Sequence, residues 1–69
     1  MKLSARNVLK GTVDRIVPGA VNSEVFLKLP DGTEIVSIIS KDAVAELNLA
    51  PGSTAYAVVK ASNVIIAVD

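Results

Sequence analysis

The sequence predicts an all-β domain, a small five-stranded barrel with one short helix between its third and fourth strands. Short runs of aliphatic and β-branched residues recur along the chain, turn residues separate them, and only one segment has a helical pattern. The chain has 69 residues, 51% of them hydrophobic, and we expect residues 1–69 to form one domain. A domain of this size is too small to bury so much apolar surface alone, which predicts a homo-oligomer.

The first two strands are predicted from β-forming residues on either side of a turn. The first strand covers residues 8–17, with Gly11 as a bulge or a point of close approach. Pro18-Gly19 ends this strand, because Pro lacks an N–H and fixes φ while Gly tolerates positive φ. Alternation of apolar residues with other side chains then predicts the second strand over residues 21–29.

A third strand and the helix follow the next turn. Pro30-Asp31-Gly32-Thr33 is a strong turn signal. Residues 34–39 carry isoleucine and valine on both faces, so we expect both faces of this strand to be covered, one by the core and the other by another subunit. Ser40 suits a helix N-cap, because its hydroxyl can accept a first-turn N–H. The helix would extend to Leu47 and turn both Leu47 and Val44 towards the core.

Two more strands are predicted after the helix. Asn48 can end the helix in the left-handed region, and Pro51-Gly52 forms the turn that follows. Strands are expected over residues 54–59 and 64–68, joined by residues 60–63. Three strands, one short helix and two further strands are the element order of an OB-like barrel.

Composition argues against several classes of function. The chain has no Cys and no His, which removes disulfides, the usual zinc ligands and nucleophile–imidazole catalysis. No pair of carboxylates has a spacing that implies acid–base chemistry, so we predict no enzyme. Lys+Arg and Asp+Glu balance at 7 each, so no net charge attracts nucleic acid or a membrane. Without a signal-peptide pattern or a long apolar run, the protein is expected to be soluble and cytoplasmic.

Two similar stretches near the ends of the chain carry groups that suit a small anion. Ser4-Ala5-Arg6-Asn7 and Lys60-Ala61-Ser62-Asn63 each combine a hydroxyl, a cation and an amide beside an apolar run. Arg6 and Lys60 would supply charge, while hydroxyls and backbone N–H groups would supply directional donors. The alternative is ordinary surface chemistry, with both cations solvated and the Ser and Asn side chains bonded to local backbone.

Two further segments could add donors to such a site. Gly19-Ala20-Val21-Asn22 has small residues that would let backbone N–H groups converge on a ligand, although an ordinary turn explains the same residues. Ser40 would place a hydroxyl and free N–H groups at the start of the helix.

Together these segments resemble the molbindins, the stand-alone Mop-domain proteins that bind molybdate and tungstate. The resemblance covers essentially the whole chain. It is carried by Ser4-Ala5-Arg6-Asn7 with Lys10-Gly11, Gly19-Ala20-Val21-Asn22, Ser37-Ile38-Ile39-Ser40 and Lys60-Ala61-Ser62-Asn63-Val64. The resemblance implies an OB-like barrel that assembles as a hexamer, a trimer of dimers. It also implies non-enzymatic binding of molybdate or tungstate at subunit interfaces, for intracellular molybdenum storage and homeostasis, without an organic cofactor.

The resemblance also implies which residues contact the oxyanion. One type of site would use Ser4, Ala5, Arg6, Ser40, Lys60, Ala61 and Ser62. A second type, dominated by backbone amides, would use Gly19, Ala20, Val21 and Asn22. The chain departs from several relatives at Ala43, where they have a second serine on the helix. That hydroxyl contact must be absent here, or replaced by a backbone N–H or a water molecule.

Two other function classes remain open. An OB-like nucleic-acid binder would stack bases on aromatic side chains. The chain has only Phe26 and Tyr56 and no net charge, which argues against that use. A purely structural assembly module is the other alternative, and its stability should be indifferent to molybdate.

Overall fold

A computed structural model describes all 69 residues and shows one antiparallel sheet of four strands in the order β3-β2-β1-β4. The elements are β1 Asn7–Pro18, β2 Asn22–Lys28, β3 Glu34–Ser40, the helix α1 Lys41–Glu46, β4 Thr54–Val59 and a 3-10 turn Ala61–Asn63. The two edge strands, β3 and β4, line the same groove, which shows that the sheet curls into a half-barrel. The predicted all-β class with one short helix after the third strand is confirmed.

β1 is the long strand that holds the sheet together. Residues 7–12 pair with β4 and residues 12–18 pair with β2. The register shifts between Val13 and Arg15, so Asp14 has no partner in the ladder with β2. Such a bulge bends a strand and increases its twist, which helps the sheet to curl.

Gly11 is a point of close approach between β1 and β2, as one of the two sequence alternatives predicted. A Cβ atom at this position would lie 2.7 Å from the carbonyl oxygen of Lys28 and 2.8 Å from Cγ of Leu27. The other alternative, a bulge at Gly11, is wrong, because the irregularity falls two residues later, after Val13.

We expect Gly11→Ala to lower the free energy of unfolding by about 1–3 kcal/mol, because the added methyl group collides with backbone of the paired strand. Urea denaturation followed by circular dichroism measures the change. Thr12→Ala is the matched control: Thr12 is the next residue of the strand and is exposed, so its substitution should stay within about 0.5 kcal/mol of the parent. Equal stability of Gly11→Ala and the parent would contradict the close approach.

The apolar core within one chain is small. Val13, Val25 and Leu27 are 1%, 5% and 5% exposed, and only 5 of the 69 residues are buried. On β3, Val36 and Ile38 remain 51% and 69% exposed. Within one chain no second layer covers this outer face, so the predicted cover by another subunit stays a prediction.

Two turns have the conformations that the sequence predicted. Asp31 Oδ1 accepts the N–H of Thr33 at 2.9 Å, and Gly32 adopts φ +92°. This hydrogen bond lowers the pKa of the Asp31 carboxyl below its ordinary value, because it stabilises the charged form. After the helix, Asn48 has φ 52°, which confirms its predicted left-handed conformation, and Gly52, in the predicted turn, has φ +93°.

α1 begins and ends close to the predicted positions but is shorter. Ser40 is its N-cap, with Oγ accepting the N–H of Ala43 at 3.0 Å. Val44 packs against the core, as predicted. The core role predicted for Leu47 is wrong: the helix ends at Glu46, Leu47 is 65% exposed, and Leu49 packs against the core instead.

The fifth strand predicted over residues 64–68 is absent from the single chain. Residues 64–69, which we refer to as the C-terminal tail, contain no strand and follow the 3-10 turn. A strand needs a neighbour to pair with, and the chain after β4 does not return to either edge of the sheet. β propensity alone therefore identified the segment but could not supply its partner.

None of the helical segments has the length or the apolar character required to cross a membrane.

Candidate anion-binding site

Pairing of β1 with β4 brings the two ends of the chain together. Asn7 and Val59 are direct partners, and Nδ2 of Asn7 donates to the carbonyl oxygen of Val59 at 3.2 Å. Arg6 precedes β1 and Lys60 follows β4, so both leave the sheet at the same corner. We refer to this group as the basic corner: Ser4, Ala5, Arg6, Lys60, Ala61 and Ser62.

The two cations of the basic corner have no carboxylate partner. Both ion pairs in the structure belong to Arg15, whose guanidinium lies 3.2 Å from Asp14 and 3.3 Å from Glu34. No acidic residue precedes Asp14 in the chain. Arg6 and Lys60 are exposed, so an incoming anion can approach both without disrupting an existing ion pair.

Neutral donors in the basic corner are free as well. In the 3-10 turn, Asn63 donates to the carbonyl oxygen of Lys60 at 2.9 Å and Val64 to that of Ala61 at 3.3 Å. The N–H groups of Ala61 and Ser62 have no backbone acceptor, as is usual at the start of a helical turn. Hydrogen bonds of side chains within the protein do not involve the hydroxyls of Ser4 or Ser62.

The other predicted residues meet at the far end of β1. Gly19 donates its N–H to the carbonyl oxygen of Asn22 at 2.8 Å, which closes the turn between β1 and β2. Asn22 pairs with Ser40 in the ladder between β2 and β3. Lys41 donates to the carbonyl oxygen of Val21 at 3.1 Å. We refer to this group as the turn corner: Gly19, Ala20, Val21, Asn22 and Ser40.

Some donors of the turn corner are already used. The N–H of Gly19 is bonded within the turn, whereas those of Ala20 and Val21 have no backbone acceptor. Oγ of Ser40 accepts the N–H of Ala43, which leaves its own O–H free to donate. Because the N–H of Ala43 is used in this cap, it is not free to replace the hydroxyl contact that the family resemblance implied at position 43.

The two corners of one copy lie at opposite ends of β1, a strand of 12 residues. A strand rises about 3.3 Å per residue, far more in total than the size of a tetrahedral oxyanion. Arg6 and Ser40 of the same copy therefore cannot share one small anion. A site that contains both needs corners from different copies of the chain.

Chemistry at both corners suits an anion. The available groups are cations, N–H groups and hydroxyls, which donate to oxyanions. No group of three or more Asp, Glu, His or Cys side chains is arranged to hold a metal ion.

The face of Phe26 is occupied by Arg15, whose guanidinium carbon lies 3.7 Å from the ring centroid. This contact leaves less of the ring available for stacking on a nucleobase.

One polar surface was not predicted from the sequence. Lys10 and Lys28 flank a shallow groove on the outer side of the sheet, together with Thr12 and Thr54. The register aligns Lys28, Thr12 and Thr54 across three neighbouring strands. These residues come from three distant segments, so only the strand pairing could have brought them together.

The curled four-stranded sheet and its two donor-bearing corners define a small all-β ligand-binding domain. The chain belongs to the TOBE domain family, whose model matches residues 3–66.

Curated relatives are molybdenum proteins. The chain is 46% identical, over the full length of both proteins, to a probable molybdenum-pterin-binding protein of Haemophilus influenzae. It is 45% identical to the molybdenum-pterin-binding protein MopA of Rhodobacter capsulatus over 97% of the chain, but it spans only 25% of that longer relative. The resemblance to Mop-domain proteins is thereby confirmed.

Solved structures agree in fold. MopII from Clostridium pasteurianum superimposes with a TM-score of 0.91 at 45% identity, covering 97% of this chain and 100% of MopII. ModG, a cytoplasmic molybdate-binding protein with molybdate bound, superimposes with a TM-score of 0.91 at 63% identity. That comparison covers 94% of this chain and 46% of ModG.

Proposed function

We propose that residues 1–69 act as one domain that binds molybdate or tungstate as an intact tetrahedral oxyanion, without turnover. The observation that carries this proposal is the basic corner, where Arg6 and Lys60 adjoin the paired residues Asn7 and Val59, free N–H and hydroxyl donors lie in the same segments, and neither cation is in an ion pair. Full-length similarity to a probable molybdenum-pterin-binding protein supports molybdenum as the element that the anion carries.

Binding depends on replacing the water that the dianion loses. An oxyanion that leaves water for a protein pocket is destabilised unless its oxygens find donors. At the basic corner, Arg6 and Lys60 supply charge, and N–H groups and hydroxyls supply directed donors. Molybdate, tungstate and sulfate share charge and shape, so selection against sulfate rests on the size of the pocket.

The positions of the two corners support binding sites between copies. Arg6 and Ser40 lie at opposite ends of β1, so a shared oxyanion joins the basic corner of one copy to the turn corner of another. The large exposed apolar surface supports such assembly. The assembly proposed is a hexamer built as a trimer of dimers, with a cytoplasmic role in molybdenum storage and homeostasis.

Isothermal titration calorimetry with molybdate, tungstate and sulfate tests the binding function. Molybdate and tungstate should bind with a defined stoichiometry, and sulfate should bind much more weakly. Equal affinity for all three anions would contradict a selective site. Absence of binding to all three would refute oxyanion binding altogether.

Ala43→Ser is expected to strengthen molybdate binding by about 2- to 10-fold. The substitution adds a hydroxyl to the first turn of α1, close to the Ser40 cap, and one neutral hydrogen bond contributes about 0.5–1.5 kcal/mol. Ala45→Ser is the matched control, because Ala45 is exposed on the same helix and is not among the predicted contacts. Calorimetry on both variants decides: equal affinities would place position 43 outside the site.

A further inference from the structure

One side-chain hydrogen bond joins the two segments that form the basic corner. Nδ2 of Asn7, a half-buried residue, donates to the carbonyl oxygen of Val59 at 3.2 Å, across 52 positions of the chain. The other side-chain hydrogen bonds connect residues no more than 19 positions apart. A carbonyl oxygen can only accept, so the atom that faces it has to be the amide nitrogen of Asn7. The contact therefore requires a donor at position 7.

This bond lies at the last point where the two segments are held together. The ladder between β1 and β4 ends at the pair Asn7 and Val59, and residues 1–6 take part in no backbone hydrogen bond. The end of a strand ladder opens more readily than its interior. Arg6 and Lys60 are the residues immediately beyond this end. The Asn7 amide is consequently the contact that keeps the starting points of both cations together.

The accepting carbonyl of Val59 also controls the direction of the chain that follows. It belongs to the same planar peptide unit as the N–H of Lys60. Fixing this oxygen therefore fixes the plane from which Lys60, with φ −64° and ψ 131°, leads into the 3-10 turn Ala61–Asn63. The free N–H groups of Ala61 and Ser62 come next in the chain. Their orientation depends on that plane.

We propose that Asn7 is a positioning residue of the oxyanion site, which holds Arg6 and the donors of residues 60–62 in a fixed arrangement without contacting the anion itself. This inference rests on the proposed binding of an oxyanion at the basic corner. Donors that are already ordered lose less conformational freedom when the ligand binds, and the affinity is higher for that reason. Asn7 thus acts on affinity through the order of the free protein.

The second asparagine of the two similar stretches has no such role. The side chain of Asn63 forms no hydrogen bond within the protein. Only its backbone N–H is bonded, to the carbonyl oxygen of Lys60 inside the 3-10 turn. The two stretches are similar in sequence but differ in structure, since Asn7 alone connects one stretch to the strand that precedes the other.

Isothermal titration calorimetry with molybdate on Asn7→Leu tests this role. Leucine has the branched shape of asparagine and is the better strand former, but it cannot donate a hydrogen bond. We expect the affinity for molybdate to fall by about 3- to 10-fold, the effect of one neutral hydrogen bond. Equal affinity of Asn7→Leu and the parent would overturn the proposal.

Gly11→Ala is the control for a general loss of stability. It disturbs the contact of β1 with β2 and leaves the bond between Asn7 and Val59 in place. Because the two positions are well separated along the strand, its molybdate affinity should stay within about twofold of the parent. An equal loss in Gly11→Ala and Asn7→Leu would overturn the proposal, since affinity would then follow stability.

Nuclear magnetic resonance on the ligand-free protein provides a second readout. The heteronuclear ¹H–¹⁵N Overhauser effect reports the fast motion of each backbone N–H. We expect lower values at Ala61 and Ser62 in Asn7→Leu than in the parent, and parent values there in Gly11→Ala. Unchanged values in Asn7→Leu would overturn the role of Asn7.

The two proposals fail in different ways. A parent protein that binds no molybdate would refute the proposed function. A parent that binds, together with an Asn7→Leu variant that binds equally well and is equally rigid at residues 61–62, would refute only the positioning role.

Discussion

Arg6→Ala is expected to weaken molybdate binding by about 10- to 100-fold. The pairing of β1 with β4 places Arg6 and Lys60 at the same corner of the sheet. Arg6 forms no ion pair within the protein, so no carboxylate has to be displaced when an anion binds. A hydrogen bond to a charged group contributes about 1.5–3 kcal/mol, and each 1.4 kcal/mol corresponds to a tenfold change in affinity. Isothermal titration calorimetry at constant ionic strength measures the loss.

Arg15→Ala is the matched control for this substitution. It removes the same charge from the far half of β1, where the Arg15 guanidinium is held by Asp14, Glu34 and the ring of Phe26. Its loss should leave the molybdate affinity within about twofold of the parent. If Arg15→Ala weakens binding as much as Arg6→Ala, the effect reports the net charge of the protein and the basic corner is not the site.

Saturating molybdate is expected to raise the melting temperature by about 10–20 °C. A ligand that binds only the folded state at 100 times its Kd adds about 2.7 kcal/mol of stability. For a domain of this size, each kcal/mol shifts the melting temperature by about 4–8 °C. Differential scanning calorimetry with and without molybdate measures the shift.

Two controls separate site binding from a general salt effect. Sulfate at the same concentration should produce little shift, because its smaller size suits the pocket poorly. Arg6→Ala should lose most of the shift with molybdate but keep the melting temperature of the ligand-free parent. An identical melting temperature with and without molybdate would instead favour a purely structural assembly module.

Local patterns in the sequence were sufficient for most of the fold. β4 spans the predicted residues 54–59, and the turns at Asp31-Gly32 and Asn48 have the backbone conformations that those residues favour. These features depend on neighbours in the chain, so one sequence contains what is needed to predict them. The close approach at Gly11 differs, because it depends on Lys28 and Leu27 of the paired strand, and the sequence left it as one of two alternatives.

Features that depend on a second partner could not be predicted in this way. The segment 64–68 has the composition of a strand, but a strand forms only where an edge is within reach, and the 3-10 turn sends the tail into solvent. Coverage of Val36 and Ile38 likewise needs surface that one chain does not supply. The fifth strand was predicted as part of a single copy, whereas cover for the outer face of β3 was expected from another subunit.

For the candidate site, both halves of the basic corner were predicted from one pattern, a cation with Ser, Ala and Asn as neighbours, which occurs near each end of the chain. The pairing of Asn7 with Val59 then explained why two distant segments lie together. What the sequence could not show was which donors are already used. Only the structure reveals that the N–H groups of Gly19 and Ala43 are bonded within the protein, whereas those of Ala20, Val21, Ala61 and Ser62 are free.

Native mass spectrometry during a molybdate titration tests most directly whether tetrahedral dianions are held where copies of the chain meet. The account predicts that molybdate appears only on assembled species, in whole numbers per assembly, and that the monomer carries none at the same free concentration. Monomers that carry molybdate as readily as the assembly, or assemblies that never retain it, would contradict the account.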